Sequence, residues 1–105
     1  MELIDPKELF SSKDPSLLVV DIRDGQYFRH GHIKGSINID VYNNLHEGNF
    51  DIVREKLKTL PKNKTIITVC NAGITAQGAS AILEEMGYKT AVLEHGMVGW
   101  NAMNR

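Results

Sequence analysis

A chain of 105 residues with 42% hydrophobic and 24% charged side chains can bury one core without disulfides or metals, which excludes a disordered or collagen-like polymer. Its 12 basic and 13 acidic residues leave a net charge of −1 with no block of one sign, so capture by nucleic acid or by an anionic membrane is not expected. The single cysteine, Cys70, excludes an internal disulfide and a multi-cysteine zinc site.

The chain shows no repeat, linker or low-complexity tract, which predicts one domain over residues 1–105. No apolar run approaches the roughly 20 residues of a membrane helix. The opening Met1-Glu2-Leu3-Ile4-Asp5 lacks the basic-then-apolar order of a secretion signal, so a cytoplasmic location is expected.

Glu2 to Ile4 reads as a short edge strand. Asp5-Pro6 follows as an N-cap with proline at the first helical position, turning Leu9 and Phe10 inward. Ser11 to Pro15 breaks that helix. Leu17-Leu18-Val19-Val20 is a continuous branched run ending at Asp21, the pattern of a parallel strand covered on both faces. Tyr27 and Phe28 suit a helical turn, and Gly31 and Gly35 bracket a turn into a strand at Ser36-Ile37-Asn38-Ile39.

Phe50, Val53, Leu57 and Leu60 recur at helical spacing until Pro61, with Arg54, Glu55, Lys56 and Lys58 facing water. Thr65-Ile66-Ile67-Thr68-Val69 is a β-branched strand that runs into Cys70. A helix over 75–86 follows, with Ala79, Ile82, Leu83 and Met86 on one side and Gly87 as its C-cap. Ala91-Val92-Leu93 is the last strand and 98–103 the last helix.

Alternating strands and helices predict an α/β fold, with a mostly parallel sheet and helices on both faces. Ligands bind such sheets beyond the carboxyl ends of the strands, where Asp21, Cys70 and Glu94 all emerge.

A thiol between a strand end and a helix start meets the positive end of the helix dipole and unpaired amides, both of which favour an anion. In Cys70-Asn71-Ala72-Gly73-Ile74-Thr75-Ala76 the small residues leave the amides free to converge on one point. Read from this loop alone, Cys70 is either a reactive sulfur in an anion cradle or a small apolar filler at a strand end. A dithiol redox role is excluded, because the chain holds no resolving cysteine.

Four ordered segments resemble the rhodanese-like family: Asp21-Ile22-Arg23; Gly31-His32-Ile33-Lys34-Gly35-Ser36-Ile37-Asn38-Ile39; the Cys70 loop; and Leu93-Glu94-His95-Gly96-Met97-Val98-Gly99-Trp100. The resemblance implies a five-stranded parallel sheet. It also implies a sulfurtransferase that moves a sulfane sulfur from thiosulfate or a persulfide donor to a thiol or cyanide acceptor. Carried onto this chain, Cys70 is the nucleophile that holds the persulfide. The amides of Asn71, Ala72, Gly73, Ile74, Thr75 and Ala76 cradle it, and Asp21 and Arg23 support the loop. The alternative is a non-catalytic or sulfur-carrier module of the same fold. A loop of six residues, Cys70 to Thr75, suits sulfur, whereas phosphatase relatives use one residue more.

The chain departs from the family pattern at Thr75, where many members carry Arg. Losing that guanidinium removes bidentate binding of an oxyanion, which shifts the expected donor from thiosulfate towards a protein or small-molecule persulfide. Tyr27 stands where an acidic partner of Arg23 is common, so Asp24 becomes the expected partner.

Among the histidines, His32 reads as a structural hydrogen-bonding residue. His95 is expected at the Cys70 edge, either as a solvated loop residue or as a proton donor. Met97, Trp100 and Met103 read as core packing. No spacing of His, Cys, Asp or Glu suggests a metal, and no cofactor is expected.

Overall fold

The computed structural model describes residues 2–103. In chain order the elements are β1 (Leu3–Ile4), α1 (Pro6–Ser11), β2 (Leu17–Asp21), α2 (Gly25–His30), β3 (Ile37–Asn38), α3 (Tyr42–His46), α4 (Phe50–Leu57), β4 (Thr65–Val69), α5 (Thr75–Glu85), β5 (Lys89–Leu93) and α6 (Gly96–Met103). The strands form one sheet in the order β1-β5-β4-β2-β3, with every pairing parallel. None of these helices is long and apolar enough to cross a membrane.

Alternation along the strands divides the core in two. Val20, Ile66 and Val92 face Val41, Val53, Leu57, Ala76, Ala79 and Leu83, so α3, α4 and α5 cover one side of the sheet. Val19, Ile67, Ala91 and Leu93 face Leu9, Met97 and Trp100, so α1 and α6 cover the other. Strands buried on both sides explain why β2 and β4 are written as unbroken apolar or β-branched runs.

Local chemistry sets the helix ends. Asp5 caps α1 by accepting from the Lys7 amide at 2.8 Å, with Pro6 inside the first turn. Asp24 caps α2 through the Gln26 amide at 2.9 Å. That role replaces the ion pair with Arg23 expected from the sequence. Arg23 instead binds Asp21, Nη2 to Oδ2 at 2.7 Å and Nε to Oδ1 at 3.0 Å, and donates a further bond to the Gly31 carbonyl at 2.8 Å. Both side chains are nearly sealed from water, at 9% and 1% exposure. Asp21 sits at the strand end within reach of the guanidinium, while the Asp24 carboxylate is engaged in its capping bond.

Other expectations shift with packing. Leu9 is buried, but Phe10 is 65% exposed and only leans on Trp100, ring centroids 5.9 Å apart. A helix of six residues has one inward stripe, and adjacent positions lie about 100° apart around it. Phe50 likewise opens α4 half in water, whereas Val53 and Leu57 are buried, and Leu60 is buried just beyond the helix end. Helix α3 has no apolar periodicity to announce it. It is held by the Val41 amide on the Ile22 carbonyl at 3.3 Å and by Lys56 Nζ on the Asp40 carbonyl and Asn44 Oδ1 at 2.8 and 3.1 Å.

The turn after α4 is tied to the start of β5 by Tyr88. Its buried hydroxyl donates to the Leu60 carbonyl at 2.7 Å, within reach of the Leu57 and Lys58 carbonyls, while Lys62 lies over the ring. These carbonyls lie at the end of α4 and in the turn beyond it, where regular helical pairing has stopped.

Two outcomes follow for stability in urea. Asp21→Asn leaves the Arg23 charge buried without its counterion and is expected to cost about 3 kcal/mol, much of it regained in the double variant Asp21→Asn, Arg23→Met. Tyr88→Phe is expected to cost about 1 kcal/mol with an unchanged m-value, since it removes one buried donor and little volume.

Candidate active site

Cys70 leaves β4 on the α5 side of the sheet, and five residues later α5 begins at Thr75. The thiol is 2% exposed and belongs to the core cluster on that side. It is not surrounded by hydrocarbon alone. The Gly73 and Ala76 amides donate to Sγ at 3.2 and 3.3 Å, across the positive end of an eleven-residue helix.

The loop is pinned from outside through its carbonyls, which in a trans peptide turns the Asn71, Ala72 and Ile74 amides of the same peptide units the opposite way. The Cys70 and Asn71 carbonyls accept from the Met97 and Val98 amides at 2.9 and 3.0 Å, which are orphan donors of the first turn of α6. The Gly73 carbonyl accepts from Gln77 Nε2 at 2.9 Å. The Ala76 carbonyl accepts from the buried Thr68 hydroxyl at 3.0 Å.

Two glycines permit this contact. Gly96, at φ +56°, lies so close that a Cβ there would sit 2.4 Å from the Cys70 carbonyl oxygen. Gly73, at φ +86°, would bring a Cβ to 3.1 Å from the His95 nitrogen. Both conformations are left-handed, which side chains disfavour.

Of the six loop residues expected to form the cradle, Gly73 and Ala76 are buried with amides on Sγ, whereas Asn71 and Ala72 are exposed. The amides of Asn71, Ala72, Ile74 and Thr75 have no acceptor among the described residues. Ile74 projects its side chain into water, at 73% exposure.

Asp21 and Arg23 make their side-chain bonds to each other and to Gly31, not to the cysteine loop. The β2 corner reaches the loop's base through one backbone bond, from the Ile22 amide to the Val69 carbonyl at 2.9 Å. Arg23 does line a cleft of about 130 Å³ beside the loop, together with Asp24, Tyr27, Tyr42 and Asn71. A larger cleft of about 320 Å³, bounded by Leu9, Phe10, Lys34 and Trp100, lies on the α1 and α6 side, away from the sulfur.

His32 is structural. Its Nδ1 bonds the Phe28 carbonyl at 2.8 Å and its ring stacks on Phe28. His95 shapes the loop through its backbone, at φ +62°, while its ring lies mostly in water 3.7 Å from Glu94. No group of three or more metal-ligating side chains occurs among the described residues.

Sequence reasoning missed Thr68, Gln77 and His46, whose Nε2 lies 3.1 Å from Thr75 Oγ1. Thr68 carried a faint signal, a hydroxyl in the middle of a strand buried on both faces. His46 carried none, because its partner is 29 residues away.

Comparison with known proteins gives the chain's family. The model of the rhodanese-like domain matches residues 5–103. The chain is 33% identical over 91 residues to thiosulfate sulfurtransferase GlpE of Shewanella oneidensis, covering 85% of this chain and 80% of that protein. It is 32% identical over 96 residues to a tRNA uridine(34) hydroxylase of Cytophaga hutchinsonii, but spans only 29% of that protein. A rhodanese-related protein of Thermoplasma volcanium shares the fold, with a TM-score of 0.82 over 98% of this chain and 93% of that one at 24% identity. With the family model covering nearly its whole length and the same sheet recurring in its structural neighbours, this chain belongs to the rhodanese-like domain family.

Proposed function

We propose that the protein is a sulfurtransferase in which Cys70 carries the transferred sulfur as a persulfide. The carrying observation is the pair of amides, Gly73 and Ala76, that donate to Sγ at 3.2 and 3.3 Å at the start of α5. Preorganised donors of this kind stabilise a sulfur anion without rearranging when charge develops.

The chemistry is a two-step nucleophilic exchange. The Cys70 thiolate attacks the outer sulfur of the donor, a new S–S bond forms, and the donor's own S–S bond breaks. The donor group departs with the electron pair, as sulfite from thiosulfate or as a thiolate from an organic persulfide. The acceptor, a thiol as its thiolate or cyanide, then attacks the outer sulfur of the persulfide and Cys70 leaves as thiolate. No external oxidant or reductant is required. The unfilled amides of Asn71, Ala72, Ile74 and Thr75 are the available donors for the outer sulfur. A helix start at Thr75 supports a loop sized for sulfur.

The names of relatives support the same reading, since GlpE is a thiosulfate sulfurtransferase. The chain lacks a loop arginine, so a persulfide donor is proposed alongside thiosulfate.

Incubation with thiosulfate or an organic persulfide, followed by intact mass measurement, is expected to show a gain of about 32 Da, one sulfur atom, that is lost in Cys70→Ser. A wild-type protein that gains no sulfur from either donor overturns the proposal. Gly96→Ala forces a carbon against the Cys70 carbonyl and is expected to lower the rate of sulfur loading by at least about tenfold, through misplaced amide donors. Circular dichroism of the same sample separates this loss from unfolding.

A further inference from the structure

The cysteine loop contains no cationic side chain: residues 71–76 offer amides, one carboxamide and one hydroxyl. That hydroxyl, Thr75 Oγ1, lies 3.1 Å from Nε2 of His46, the last residue of α3. Both groups border a shallow cleft against the loop that is otherwise lined by Leu45, Phe50, Ile74 and Gly78.

The contact is fixed from both sides. Helix α3 is seated by fully buried Val41 and by Lys56, and the Tyr42 ring lies 4.5 Å from the His46 ring, centroid to centroid. Thr75 is β-branched, so few χ1 rotamers are open to it. It opens α5, and among the described residues no carbonyl accepts its hydroxyl proton.

We infer that His46 is a positioning residue that acts through Thr75, turning the threonine hydroxyl proton towards the oxyanion of a sulfur donor such as thiosulfate. A hydroxyl has one proton and two lone pairs. When Nε2–H donates to Oγ1, the Thr75 proton is free to bond a bound oxyanion. In the opposite arrangement the hydroxyl donates to a bare Nε2 and shows the loop only lone pairs, which repel an anion. An oxyanion donor therefore selects the first arrangement, whereas an organic persulfide without oxygen gains nothing from it. His46 makes and breaks no bond in the transfer. This two-residue relay supplies a directed donor where the loop has no guanidinium.

The inference rests on the sulfurtransferase reading and is tested by donor discrimination. Initial rates are measured with thiosulfate and with a simple alkyl persulfide for the wild type, His46→Leu, His46→Gln, Thr75→Val and the double variant His46→Leu, Thr75→Val. The ratio of kcat/KM for thiosulfate over persulfide is expected to fall about tenfold in His46→Leu, carried by KM for thiosulfate, as for one lost bond to an anion. Thr75→Val is expected to match it, the double variant to fall no further, and His46→Gln, which keeps a donor, to stay within about twofold of the wild type. An unchanged ratio in His46→Leu, additive losses in the double variant, or a His46→Gln as impaired as His46→Leu overturns the inference. A wild type that takes sulfur from the persulfide and none from thiosulfate overturns it while leaving the sulfurtransferase reading intact; a wild type that takes sulfur from neither overturns that reading itself.

Discussion

The whole site depends on one contact, the first turn of α6 against the backbone of Cys70 and Asn71. Met97 and Val98 carry amides that no helix carbonyl can satisfy, and they bind the Cys70 and Asn71 carbonyls. A peptide unit whose carbonyl is held outside must present its amide on the other side. The unfilled amides of Asn71 and Ala72, which share peptide units with those two carbonyls, are thus the counterpart of this anchorage. Gly96 is indispensable to it, since any side chain there would collide with the carbonyls being anchored.

Sheet topology makes that contact possible. In a parallel sheet all carboxyl ends share one edge, and β4 lies next to β5. The loops that leave them, one carrying Cys70 and the other opening α6, are therefore neighbours although separated by more than twenty residues. On its other flank β4 pairs with β2, whose exit corner is stiffened by the Asp21–Arg23 pair. That pair makes no side-chain bond to the cysteine loop. It shapes the frame at Gly31 and touches the cysteine strand only through backbone bonds.

Burial of Cys70 and its polar contacts are compatible because they occupy different sides of the atom. The thiol is packed into the core cluster while its sulfur accepts from two amides. Exclusion of water strengthens such bonds, since the competing solvent donors are gone. The outer residues of the loop, Asn71, Ala72 and Ile74, are exposed to solvent.

Much of this was legible in the residues. The runs at 17–20 and 65–69, the stop at Pro61, the cap at Asp5 and the glycine after α5 are local signals, because strand burial, helix capping and left-handed turns act within a few residues. The ordered segments around Asp21, Gly31, Cys70 and Gly96 pointed to the family. The sequence could not say which two of six loop amides reach the sulfur, that Arg23 binds Asp21 and not Asp24, that Phe10 faces water, or that His46 meets Thr75. Those outcomes depend on the packing of elements distant in the chain and on which of two nearby partners each group reaches first. Periodicity and spacing determine what each segment becomes; only the assembled sheet decides which polar groups end up facing one another.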